Sequence, residues 1–145
     1  MRKTTDHSFA LRNDLDEVTQ FTASVEAFGE SHQLPGDAVF NLTLALEELV
    51  VNVIKHGFEA GTEHEIVVRL RLRENEVLAE IEDDGKPFNP VTDTREYHLR
   101  EVLHQQPVGG LGVHLVKNLM DSLDYERRGS RNLVRVRKAI LPIAA

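Results

Sequence analysis

Glu48 and Asn52 stand one helical turn apart in a strongly apolar stretch, so their side chains reach the same point in space. A carboxylate can take a proton from a hydroxyl. An amide oxygen is a hard ligand suited to Mg²⁺. A second acid, Asp83, ends an alternating run in which Val77, Ala79 and Ile81 share its face, so it points toward the core. An unpaired carboxylate there costs several kcal/mol by rough estimate. Two readings stay open for it. It caps the turn Asp84-Gly85-Lys86-Pro87, or it accepts a hydrogen bond from a ligand, such as the amino group of a base. The third feature is Gly109-Gly110-Leu111-Gly112 at the head of a helix, where glycines let backbone N–H groups approach an anion and the helix dipole favours negative charge. The bland alternative is a flexible Gly-Gly hinge. The spacing is neither G-x-x-x-x-G-K-[ST] nor the strand-linked G-x-G-x-x-G, so a phosphate bound here belongs to another class of nucleotide fold.

The elements that carry these residues can be laid out from periodicity. A short strand over 7–12 precedes a helix capped by Asn13 or Asp14, with Leu15, Val18, Phe21, Val25 and Phe28 at helical spacing. The longest helix follows over 37–55. On it Asn41, Glu48, Asn52 and Lys55 fall within an arc of roughly 60°, with His56 just beyond. Leu42, Leu46, Leu49 and Val53 lie on one flank, and Phe40, Leu44, Val51 and Ile54 on the other. A helix apolar nearly all round is expected to be largely buried, with its polar stripe facing a cleft rather than open water. Strands are expected over 65–73 and 77–83, joined at Glu74-Asn75, and over 122–128 and 132–140, joined at Gly129-Ser130. Residues 86–108 show no period and read as a long binding loop, and a helix runs from 112 to about 120. The order β-α-α-β-β-loop-α-β-β predicts an α+β two-layer sandwich. Its sheet is mixed and mostly antiparallel, with three helices on one face, and the whole of residues 1–145 forms one domain.

The totals restrict function. With 145 residues and 41% hydrophobic content, one domain can bury a core without staples. The absence of cysteine excludes disulfides and thiolate zinc sites, and is consistent with the cytoplasm. No signal-peptide-like or membrane-spanning apolar run is visible. A formal net charge of −7 argues against nucleic acid as the main partner. His98, His104 and His114 have no metal-ligand spacing, and Arg69, Arg71 and Arg73 alternate with apolar residues as the outer face of a strand.

Three segments in order resemble the boxes of the GHKL ATPase superfamily, and most closely those of the bacterial anti-sigma-factor serine/threonine kinases. They are Leu46-Glu47-Glu48-Leu49-Val50-Val51-Asn52-Val53-Ile54-Lys55-His56-Gly57, Asp83-Asp84-Gly85-Lys86-Pro87-Phe88-Asn89-Pro90, and Gly109-Gly110-Leu111-Gly112-Val113-His114-Leu115-Val116 followed by Leu119-Met120-Asp121. The resemblance implies ATP and Mg²⁺ as ligands. Glu48 would be the general base for a protein hydroxyl, Asn52 the Mg²⁺ ligand, and Asp83 the acceptor for the adenine amino group, with Gly85 leaving room for the base. Residues 109–112 would hold the phosphates, Lys55 and His56 would lie near them, and 86–108 would be the ATP lid, with Arg95 or Arg100 reaching the γ-phosphate. Pro87 stands where the wider superfamily often has glycine, and it cannot take a positive φ. Glu47 is a neighbouring acid, but only Glu48 has the i, i+4 relation to Asn52.

The implied function is a partner-switching serine/threonine kinase. It would phosphorylate a STAS-domain anti-anti-sigma protein, bind a sigma factor or other effector, and form a homodimer. The alternative is an ATP-binding anti-sigma or adaptor module with little or no kinase activity. A detached histidine-kinase catalytic domain is disfavoured, because no dimerisation helix with a phosphoacceptor His precedes the ATPase segment in this sequence.

Overall fold

A computed structural model of the chain describes residues 5–90, 92 and 116–140. The third box, Gly109 to Gly112 with Leu111, therefore lies outside the described residues. So do Arg95, Arg100, the three histidines at 98, 104 and 114, and most of the expected lid.

The strands are β1 (Thr5–Arg12), β2 (Glu65–Arg73), β3 (Glu76–Asp83), β4 (Ser122–Arg128) and β5 (Arg131–Ala139). They form one sheet in the order β1-β2-β3-β5-β4, and every described pairing is antiparallel. Alternation sets the two faces. On β2, Ile66, Val68, Leu70 and Leu72 are buried, and on β3, Val77, Ala79, Ile81 and Asp83 are buried. The opposite face carries ions: Glu80 lies near Arg69, Arg71 and Arg135, and Glu82 pairs with Arg69 at 2.7 Å and Arg131 at 2.5 Å. The arginines of β2 are thus balanced by acids on the adjacent strands, as the outer face of a sheet and not a basic patch.

Helix α1 (Val18–Ser31) follows a 3-10 turn over Leu15–Glu17 that Asp14 caps by accepting from the Asp16 amide. Helix α2 (Gly36–His56) starts after Pro35 and keeps Asp37 in its first turn and Lys55 and His56 in its last, as the helix dipole favours. The two helices cross closely at Gly29, where a Cβ would come within 2.7 Å of both Val39 methyls. A third helical turn covers 116–119, and its Val116 joins the core.

The orientation of α2 corrects one expectation. Leu42, Ala45, Leu46, Leu49, Val50 and Val53 are buried on the sheet side, but Phe40 is 66% exposed and Leu44, Val51 and Ile54 are only half-buried. A two-layer sandwich places the sheet on one side of the helix, and no described element covers the other. Removing Leu46, which is fully buried, should therefore cost about 2–5 kcal/mol as Leu46→Ala. Phe40→Ser on the same helix should stay within about 0.5 kcal/mol. Denaturant midpoints of the two variants measure this, and equal losses would contradict the helix orientation.

Candidate active site

The site is assembled where two chain ends meet. Helix α2 stops at Gly57, whose N–H donates to the Val53 carbonyl, and β3 stops at Asp83. The Lys86 amide donates to the Gly57 carbonyl at 3.0 Å, which ties the turn after β3 to the end of the helix. Gly85 sits in this junction. A Cβ there would overlap the Gly57 carbonyl and stand 2.9 Å from Asp83 Oδ1 and 3.0 Å from the Phe58 ring. Its lack of a side chain is thus required by the protein's own packing, whatever ligand approaches. The His56 ring lies 5.7 Å from Phe88, which is buried on the far side of the same turn.

Asp83 is 1% exposed. Its Oδ1 accepts from the Gly85 amide at 2.8 Å and from Asn132 Nδ2 at 3.0 Å. The first bond is the turn-capping contact considered above, yet Asp83 is still within the strand and faces the core, so capping and ligand recognition are compatible in one side chain. Burial pushes its carboxyl above the ordinary range, opposed by the hydrogen bonds from Asn132 and Gly85.

Asn132 was not legible as a site residue. It lies on β5 opposite Asp83, 1% exposed, and its amide is used at both ends. Nδ2 donates to Asp83 and to the Lys86 carbonyl at 2.8 Å. Oδ1 accepts from Tyr125 at 2.5 Å, Arg127 at 3.1 Å and the Phe88 amide at 3.3 Å. Arg127 also donates to the Gly85 carbonyl at 2.8 Å. The turn that carries Gly85 is therefore clamped from β3, β4, β5 and α2 together. Only the alternation of β5, which places Asn132 on the face of Val134 and Val136, hinted at a buried polar residue.

On α2, Asn52 is 2% exposed and Glu48 half-buried, while Glu47 and Lys55 are exposed. Burial thus separates the two adjacent acids. Glu48 Oε1 and Asn52 Nδ2 are both buried, and neither has a hydrogen-bond partner among the described residues. Such atoms are uncommon, and a bound water, ion or ligand can complete their bonding. Turning the Asn52 amide about its last torsion exchanges nitrogen for oxygen, so the same position offers either a donor or a metal ligand. Desolvation raises the Glu48 pKa, with Lys55 opposing and Glu47 adding to the rise. Pro87 and Lys86 are exposed beside the clamped turn.

Three cavities lined by described residues, of about 180, 330 and 520 Å³, lie elsewhere and include none of Glu48, Asn52 and Asp83. The largest is bounded by Arg12, Asp14, Lys55 and Glu63 beside the C-terminal turns of α2.

A family profile described as the histidine kinase-like ATPase domain matches residues 11–138. The chain belongs to that family. This histidine kinase-like ATPase domain is 30% identical to the serine-protein kinase RsbW of Listeria innocua serovar 6a over 90 residues, covering 60% of this chain and 57% of the relative. It is 33% identical to the serine/threonine-protein kinase BtrW of Bordetella bronchiseptica over 93 residues, 64% of this chain and 65% of that one. The chain thus matches between half and two thirds of these relatives' lengths. The crystal structure of the RsbU and RsbW domains of Rv1364c from Mycobacterium tuberculosis superimposes with a TM-score of 0.68 at 13% identity. It covers 95% of this chain and 33% of that one, and supports the same fold. No helix among the described residues is long and apolar enough to cross a membrane.

Between its ordinary value of 4.5 and its raised folded value, Glu48 holds more proton in the folded chain than in the unfolded one. Its contribution to stability is therefore intact below that ordinary value and declines as pH rises through the window above it. Glu48→Gln removes the decline, so the melting temperature of the variant relative to wild type should climb as the pH rises above 4.5. Thermal melts across that range measure it, and a constant difference would remove desolvation of Glu48 as the cause.

Proposed function

We propose that this domain is an ATP-dependent serine/threonine protein kinase of the partner-switching type. The observation that carries the reading is the pair of buried atoms on α2, Glu48 Oε1 and Asn52 Nδ2, which have no hydrogen-bond partner among the described residues. Relatives named as serine and serine/threonine kinases at about a third identity support it.

In this reading Asp83 accepts from the adenine amino group, since both described donors to its carboxylate fall on Oδ1 and the second oxygen is available to the base. The rigid turn at Gly85 sets the depth at which the purine rests. Asn52 presents its amide oxygen to Mg²⁺, which when bound would neutralise charge on the phosphates. Lys55 and His56, in the last turn of α2, would approach the phosphates, and residues 109–112 would bind them. Glu48 removes the proton from the serine or threonine hydroxyl as its oxygen attacks the γ-phosphorus and ADP leaves. A carboxyl whose pKa is raised by burial is better matched to that task than an exposed one. The lid would lie within residues 86–108, beyond the clamped turn.

The protein substrate in this reading is a STAS-domain anti-anti-sigma antagonist, and the competing effector a sigma factor, with the domain acting as a homodimer in the cytoplasm. Incubation with labelled ATP and the antagonist tests transfer directly. Glu48→Ala should lower the rate by about 10²–10⁴-fold with nucleotide binding retained. Asp83→Asn should weaken binding of a fluorescent ATP analogue. Binding of nucleotide without transfer by the wild type would leave the adaptor reading in its place.

A further inference from the structure

Away from the nucleotide site, β1 and the end of α1 bring two imidazoles together. His7 Nε2 and His32 Nε2 are 3.4 Å apart, with ring centroids 5.4 Å apart and planes at 78°. Two nitrogens each about 2.0–2.1 Å from a tetrahedral Zn²⁺ stand roughly 3.3 Å apart, so the pair is already spaced as two ligands of one ion. Both rings rest on Phe28, His7 edge-on at 5.0 Å and His32 tilted at 4.7 Å, and His7 also stacks on Phe9. Their backbones are fixed as well. His7 pairs with Leu70 across the sheet, and His32 is the C-cap of α1. There its N–H donates to the Phe28 carbonyl, and Gln33 follows in the left-handed conformation at φ 55°.

A second feature is independent of the spacing. The pair sits at the C-terminal end of a 14-residue helix, where the dipole presents its negative pole and favours a cation. His7 is exposed and His32 half-buried, so an ion has access from solvent. A direct hydrogen bond between two neutral tautomers is the competing account of the contact.

We propose that His7 and His32 form a two-imidazole site for a borderline divalent cation of the Zn²⁺, Ni²⁺ or Cu²⁺ class. Water completes the coordination, and the ion clips β1 to the end of α1. Imidazole selects these ions over Mg²⁺, so the site is distinct from the one assigned to Asn52 and stands whether or not the kinase reading does. Because the two ligands come from separate elements brought together by folding, an ion held by both stabilises the folded chain.

The test uses the whole chain, stripped with a chelator and titrated with ZnCl₂, NiCl₂ or MgCl₂. The wild type should bind Zn²⁺ and Ni²⁺ at this site and melt at a higher temperature with either ion, while MgCl₂ without nucleotide gives no shift. In each of His7→Gln and His32→Gln the Zn²⁺ affinity of the site should fall by about tenfold or more, and the thermal shift should vanish in the double variant. Paramagnetic Ni²⁺ should broaden the His7 and His32 ring signals of the wild type first, a readout that needs no variant. No thermal response to Zn²⁺, a response retained in the double variant, or broadening confined to other histidines would overturn the proposal and leave the pair as a hydrogen bond.

Discussion

The arrangement depends on the junction between the end of α2 and the turn after β3. One backbone hydrogen bond, from Lys86 N–H to the Gly57 carbonyl, fixes how the helix that carries Glu48 and Asn52 stands relative to the strand that carries Asp83. The junction is close because Gly85 has no side chain. A Cβ at Gly85 would overlap the Gly57 carbonyl, whereas one at Gly57 would stand 2.7 Å from the Val53 carbonyl of its own helix. A side chain at Gly85 pushes the turn after β3 away from the end of the helix.

Two kinds of electrostatics coexist in the molecule and do different work. On the outer face of the sheet, Glu76, Glu80, Glu82, Asp124 and Glu126 are interleaved with arginines. The exposed pairs contribute little stability each, but they keep polar a face that no described element covers. Glu48 on α2 and Asp83 at the end of β3 are instead desolvated, and their pKa values move upward. Asp83 is compensated by Asn132 and the Gly85 amide, whereas Glu48 Oε1 has no donor among the described residues. The asymmetry suits the roles assigned to them. An acceptor that reads a base must be held still, and a proton acceptor needs an open lone pair.

Much of this was legible in the chain because it follows from periodicity. The inward turn of Asp83 comes from counting two residues at a time from Val77, and the convergence of Glu48 and Asn52 from counting four along a helix. The bounds of β2 and β4 agree with the alternation, and the Arg69-Arg71-Arg73 row is the outer face it suggested. What was not legible depends on pairing between distant segments. Asn132 matters because β5 lies beside β3 in a register that sets it opposite Asp83, and no local pattern fixes that register. The same holds for His7 and His32, 25 residues apart and joined only by the packing of β1 on α1. The exposed flank of α2 misled for another reason. Hydrophobicity records which positions avoid water somewhere, and does not say whether a second layer of the same domain covers them.

Family membership by itself does not decide between a kinase and a module that only holds nucleotide. Asp83 with its Asn132 clamp, the turn at Gly85 and the Asn52 amide carry nucleotide binding in both proposed readings, which use them equally. Glu48 is different. A half-buried carboxylate adds nothing to recognition of an anionic ligand and repels it when ionised, and its desolvation weakens the fold at neutral pH. A neutral residue at that position would bind nucleotide at least as well and fold more stably. In the proposed reading, a proton acceptor one turn from the amide assigned to Mg²⁺ serves to remove a proton there, and a serine or threonine hydroxyl becoming a nucleophile is a group that has to lose one.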